Sequence, residues 1–169
     1  MRRPIGTSAS GRMAWLRTGG AALYGSLAGV AIAQGPSAQA PPEKMVPYIV
    51  KGQAIAEPLG GQRGGAARGR LVLFDGERGN CTICHPVPGG DPRTQGNVAP
   101  TLAGVARRLT EGEMRLRLVD GTRINPATVM PPYYRVEGLS RVGEAFRGRP
   151  ALSATEIEDI IAFLQTLRE

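Results

Sequence analysis

A chain of 169 residues has room for one domain and little else. Its formal charge of +7 invites a nucleic-acid reading, but Arg2, Arg3, Arg12 and Arg17 all precede the first acid, Glu43, and losing them with a processed N-terminus leaves +3. No basic stripe with interleaved aromatics then remains, so no nucleic-acid partner is expected.

The arginines lead into GGAALYGSLAGVAIA, Gly19 to Ala33, small and apolar, ending in the small-x-small site Ala31-Ile32-Ala33. A basic start, an apolar stretch of about 15 residues and such a site make a secretory signal over residues 1–33. A second small-x-small site, Ala38-Gln39-Ala40, is followed by Pro41 and makes a poorer cut. The apolar run is glycine-rich and falls short of the roughly 20 residues a span needs, so no membrane span is expected after cleavage. Export places the protein in the periplasm, an oxidising compartment where two cysteines would first be read as a disulfide.

Residues 34–65 are rich in Gly, Pro, Ala and Gln without sustained period, and read as an extended arm lying over something else. From Ala66 the pattern changes. Leu71, Val72, Leu73 and Phe74, stopped by Gly76 and Gly79, predict a short helix of about two to three turns. A domain over 66–169 follows.

The segment GNCTICHP, Gly79 to Pro86, holds both cysteines and the only histidine. Cys-x-x-Cys-His is the c-type haem attachment pattern. On a helical turn Cys81, Cys84 and His85 stand at i, i+3 and i+4 and share a face. Two thiols then reach the two vinyl groups at one side of a porphyrin, and the imidazole points at the iron. A disulfide leaves His85 unexplained. A structural zinc site wants four ligands and only three nitrogen or sulfur donors exist. A thioredoxin-type pair needs a strand–helix context that is not readable here. Downstream, Pro100 in NVAPTLAGV offers a carbonyl to the other ring nitrogen of His85, the kind of partner that orients an imidazole ligand.

Two further helices are marked by capping boxes: Thr110 with Glu113, stopped by Gly121, and Ser153 with Glu156. In the second, Ile157, Ile160, Ile161, Leu164 and Leu167 fall three or four apart and predict one buried face. Segments 86–109 and 121–152 read as irregular, long for a compact domain. With 24 glycines, 14 prolines and 5% aromatic residues, such a chain has trouble building a core from its own side chains. A haem supplies the missing apolar mass.

The iron also needs a sixth ligand or an open position. Beyond the leader the strong donors are Met45, Met114 and Met130, with Lys44 and Lys51 as outsiders. Met45 lies in the arm, and Met114 sits on the 110–120 helix, where packing is its ordinary role. Met130 occupies INPATVMPPYY, a loop stiffened by Pro126, Pro131 and Pro132, which aims one thioether with little entropy to lose. It is the expected ligand opposite His85.

Residues 66–169 resemble a class I cytochrome c on these motifs: a first helix with Gly69 and Phe74, the Cys81-Thr82-Ile83-Cys84-His85 segment, APTLAG, the Met130 loop and a last helix. Ala99 departs from the glycine usual before Pro100. The resemblance implies an all-α class I cytochrome c fold, three to five short helices wrapped round one covalent haem c with long loops, and a crossing of first and last helices at Gly69 and Phe163. The stretch from Ala127 to Leu167, with its Met-Pro-x-Tyr-Tyr turn and Arg-Val-Gly segment, is similar to the monohaem SoxX family, and so is the preceding arm. That likeness implies a SoxA-type cytochrome as heterodimer partner and a SoxYZ-type carrier whose cysteine is joined oxidatively to thiosulfate. Electrons then leave to a small cytochrome or an oxidase. It also implies that this chain accepts electrons and is not itself catalytic within that L-cysteine S-thiosulfotransferase type of complex. Arg141, Arg147, Arg149, Tyr133 and Tyr134 are expected on the partner-facing surface. The rival expectations are a free-standing electron shuttle, a cytochrome subunit of another dehydrogenase, and a gas sensor with an exchangeable sixth ligand.

Overall fold

The computed structural model describes residues 45–169; the expected leader over residues 1–33 and the first part of the arm, 34–44, lie outside the described residues. From residue 45 the arm runs extended. Val46, Tyr48 and Val50 turn toward the core while Met45, Pro47 and Ile49 face solvent, the period-two alternation of a segment laid on a packed surface. After a turn at Gly52 the arm plants Ile55 and Leu59, 1% and 2% exposed, in the interior.

Four α-helices follow: α1 Ala66–Phe74, α2 Val105–Arg108, α3 Glu111–Asp120 and α4 Ala154–Leu164. Short 3-10 turns at Leu59–Gly61, Cys81–Ile83, Pro92–Thr94, Gly121–Arg123 and Glu144–Phe146 punctuate the rest. Among the described residues there is no strand, only an isolated antiparallel bridge between Lys51 and Ala54. No helix among them is long and apolar enough to cross a membrane.

The crossing of α1 with α4 organises the fold. A Cβ on Gly69 would stand 1.8 Å from the Asp159 carbonyl oxygen, and one on Gly64 1.9 Å from that of Glu158, so the backbones touch only because both residues lack side chains. Gly69 therefore meets the Asp159–Ile160 backbone most closely. Phe163, about a turn further on, packs edge-on against Phe74 with ring centroids 6.4 Å apart. Asp159 locks the same crossing, accepting from Arg68 Nη2 at 2.7 Å, Arg68 Nε at 2.8 Å and the Gly65 amide at 2.6 Å.

Both capping boxes form. Thr110 Oγ1 accepts from the Glu113 amide and Glu113 from the Thr110 amide, and Ser153 and Glu156 repeat the exchange at α4. α3 stops before Gly121 as expected, with Gly121 as its C-cap in ordinary helical space, φ −63°, and the chain continues into a 3-10 turn there. Asp120 helps to end the helix: its backbone leaves helical space at φ −162° and its carboxylate accepts from the Thr122 amide. The segment 86–109 is not wholly irregular either, since α2 adds one turn, too short to leave a periodic signature.

The side chains of α1, α3, α4 and the arm meet in one core. Leu73, Leu116, Val119, Tyr134, Ile157 and Ile160 are all fully buried, with Met114 and Ile161 beside them. Arg115 and Glu158, 1% and 4% exposed, lie in the same interior and neutralise each other through two hydrogen bonds, Nε to Oε1 at 2.7 Å and Nη2 to Oε2 at 2.8 Å. Leu59 amide donates to Glu158 Oε1, and Arg115 Nη1 donates to the Ile55 carbonyl, so this pair also holds the arm.

Candidate haem-binding site

The turn that carries the cysteines is set by backbone constraint. The Gly79 amide donates to Val72 O at 3.1 Å and the Asn80 amide to Asp75 O at 2.9 Å, folding the chain back under α1. Asn80 adopts left-handed backbone, φ 47°, a conformation asparagine tolerates better than most residues. A 3-10 turn over Cys81–Ile83 follows, and both the Cys84 and His85 amides donate to Cys81 O, at 3.2 and 2.9 Å. One turn of backbone thus carries both cysteines and the histidine.

His85 is oriented from downstream. Its Nδ1 stands 2.7 Å from Pro100 O. A carbonyl only accepts, so Nδ1 carries the proton and Nε2 keeps its lone pair for a metal. The loop bearing Pro100 is stitched to the cysteine turn: the Gly96 amide donates to Thr82 O at 2.8 Å, Ala99 to Cys84 O at 3.0 Å and Leu102 to Pro86 O at 2.9 Å. Gly96 is required where it lies, because a Cβ there would come within 2.0 Å of Ile83 O.

Cys81 is buried and Cys84 half-buried. Burial pushes the Cys81 thiol up to about 11, its own backbone hydrogen bond pulling it down and Cys84 pushing it further up. A protonated, buried thiol is the reverse of the low-pKa nucleophile of a disulfide oxidoreductase. Among the described residues, no group of three or more His, Cys, Asp or Glu is arranged to hold a metal ion.

The three methionine candidates separate by environment. Met114 is 2% exposed inside α3 with the Gln165 amide nitrogen 3.8 Å from its sulfur, a core residue. Met45 is 37% exposed on the outward side of the arm. Met130 is half-buried against the core in a loop without helix, its amide accepted by Thr128 Oγ1 at 3.2 Å. Apolar side chains flank the donors: Ile83 between the cysteines, Val98 before Pro100 and Val129 beside Met130 are 64%, 75% and 82% exposed. Two thiols on one turn, an imidazole with a fixed tautomer, a thioether on a stiff loop and apolar neighbours fit a covalently held haem. An open cleft of about 480 Å³ lies beside the 86–101 loop, lined by Pro86 and Gly96 among others but by neither cysteine, nor by His85 or Met130.

The surface expected to face a partner needs one correction. Tyr134 is fully buried, its hydroxyl accepting from the Val46 amide at 2.8 Å, so it fastens the arm to the core and is not on the surface. Tyr133 is half-buried, and its hydroxyl donates to Gly79 O at 2.8 Å. Arg141 and Arg147 are exposed, and the Arg149 guanidinium lies 5.8 Å from the centroid of the exposed Phe146 ring.

Sequence reasoning missed the buried Arg115–Glu158 pair. Its members lie 43 residues apart, and the spacing of charges along one helix carries no sign of it.

No protein-family model matches the chain, and no curated protein does. Among solved structures, SoxXA from P. pantotrophus is similar: one of its chains is 32% identical, the TM-score is 0.66, and the match covers 72% of this chain and 95% of that one.

Proposed function

Because the chain belongs to the SoxX family of class I cytochromes c, we propose that it is the electron-accepting subunit of a SoxA-type pair that oxidises thiosulfate. The observation that carries this reading is the likeness to SoxXA over nearly all of the matched chain, together with the donor set built from Cys81, Cys84, His85 and Met130. Haem c supplies a one-electron acceptor when bound. Cys81 and Cys84 would hold it covalently, His85 and Met130 would supply the iron's protein ligands, and Pro100 would set the imidazole. A haem held by a histidine and a methionine of this chain would supply electron transfer, not substrate chemistry. A thioether ligand in an apolar setting also raises the reduction potential, as an acceptor requires.

In this reading the SoxA-type partner joins thiosulfate to a cysteine thiol of a SoxYZ-type carrier. One S–S bond forms, the thiol proton leaves, and two electrons depart singly through this chain to a small cytochrome or an oxidase. Exposed Arg141 and Arg147, with Phe146, supply the partner-facing surface. Residues 1–33 direct export to the periplasm, and the arm from residue 34 belongs to the mature protein.

The test is recovery of the mature holoprotein under its own promoter from thiosulfate-grown cells. It is expected to elute as a heterodimer with a SoxA-type cytochrome, and separation of the two is expected to abolish thiosulfate-dependent electron release. A monomer that accepts electrons at the same rate with and without such a partner would establish the free-standing shuttle instead.

A further inference from the structure

We infer that Tyr133 is a positioning residue that ties the Met130 loop to the cysteine-bearing turn, so that the sixth ligand and the covalent tether are held as one unit; this rests on the haem-ligand reading above. The link spans 54 residues, Tyr133 hydroxyl to Gly79 O at 2.8 Å. Gly79 lies two residues before Cys81, and Tyr133 three residues after Met130, with Pro131 and Pro132 between them. Two fixed φ angles make that connection stiff. Placing the tyrosine therefore places the thioether.

Tyr133 is itself anchored. Its amide donates to Leu118 O at 3.0 Å, its carbonyl accepts from the Leu152 amide at 3.1 Å, and the Tyr134 amide donates to Val119 O at 3.3 Å. The end of α3 and the approach to α4 thus hold one end of the relay, and the phenol reaches across to the other. Burial of the phenol favours its protonated form, so it remains a donor.

The acceptor shows why the phenol matters. Gly79 is buried, and its carbonyl takes two donors, Tyr133 Oη and the Cys81 sulfur at 3.6 Å. Conversion of Cys81 to a thioether removes the S–H. Tyr133 is then the side-chain donor left to that carbonyl, and an unsatisfied buried carbonyl is costly. The hydroxyl thus keeps the turn seated after attachment.

The test uses mature holoprotein and imidazole as probe, which binds ferric iron only when Met130 has moved away. Tyr133→Phe keeps the ring and its packing. It is expected to leave covalent haem content unchanged and to tighten apparent imidazole binding by about five- to tenfold, the equilibrium change one buried hydrogen bond commands. Ile157→Val, in the core of α4 and outside the relay, is expected to lower global stability while changing imidazole affinity by less than about twofold. Unchanged affinity in Tyr133→Phe, or an equal gain in Ile157→Val, overturns the inference while leaving the ligand assignment intact. A wild-type protein that binds imidazole with no competing thioether overturns both.

Discussion

Glu158→Ala is expected to cost about 3–5 kcal/mol of folding stability, because it strands a buried charge. Arg115 is 1% exposed and gives two of its hydrogen bonds to Glu158. Its remaining contacts are the Ile55 and Ala56 carbonyls at 2.7 and 3.3 Å, and a distant Glu111 carboxylate 4.0 Å away that is 62% exposed. None of these neutralises a guanidinium in the interior. The Leu59 amide loses its acceptor as well. Against a typical total of about 5–15 kcal/mol, such a loss brings the domain near unfolding, and a fall in melting temperature on the order of 15 °C accompanies it. The double variant Arg115→Met, Glu158→Leu is expected to lose far less, since it removes both charges and leaves apolar volume behind. Urea titration of the mature holoproteins reads the difference. A single-variant loss below about 1 kcal/mol would mean that the pair contributes no more than an exposed one. The arm should also loosen, because Ile55 and Leu59 both fasten to this pair; limited proteolysis within residues 45–60 reports it.

The second large effect concerns the metal. Met130→Ala is expected to lower the reduction potential by a sizeable part of the ~0.8 V range that axial ligands command, and to open the iron to carbon monoxide in the reduced state. Alanine offers no donor at a position where the loop prolines hold the backbone in place. Met114→Leu is the control. It exchanges one buried apolar side chain for another of similar volume and is expected to leave potential and spectrum unchanged. Potentiometric titration and a carbon monoxide difference spectrum of each variant check both. An unchanged potential in Met130→Ala would transfer the ligand role to another residue, and a change in Met114→Leu would name it.

What was legible in the sequence was local. Thr110 with Glu113 and Ser153 with Glu156 each close a hydrogen-bonded exchange within four residues, so both boxes are readable without knowledge of the fold. The Cys81–His85 turn is readable for the same reason. Errors arose where a partner distant in sequence decides a residue's fate. Tyr134 sits in a charged, proline-rich stretch and reads as surface, but the arm brings Val46 to its hydroxyl across 88 residues and the ring is fully buried. Arg115 lies among charges on α3 and reads as solvated, but Glu158 meets it from α4. Few aromatics enter the core, and aliphatic residues of α3, α4 and the arm supply most of its side chains.

The account turns on a porphyrin fastened through two thioethers, and one measurement meets it directly: the absorption spectrum of the purified, reduced mature protein before and after acid–acetone extraction. The expected result is the sharp α band of a low-spin haem, one per chain, that stays with the polypeptide through extraction. A colourless polypeptide, or a pigment that the solvent removes, would contradict it.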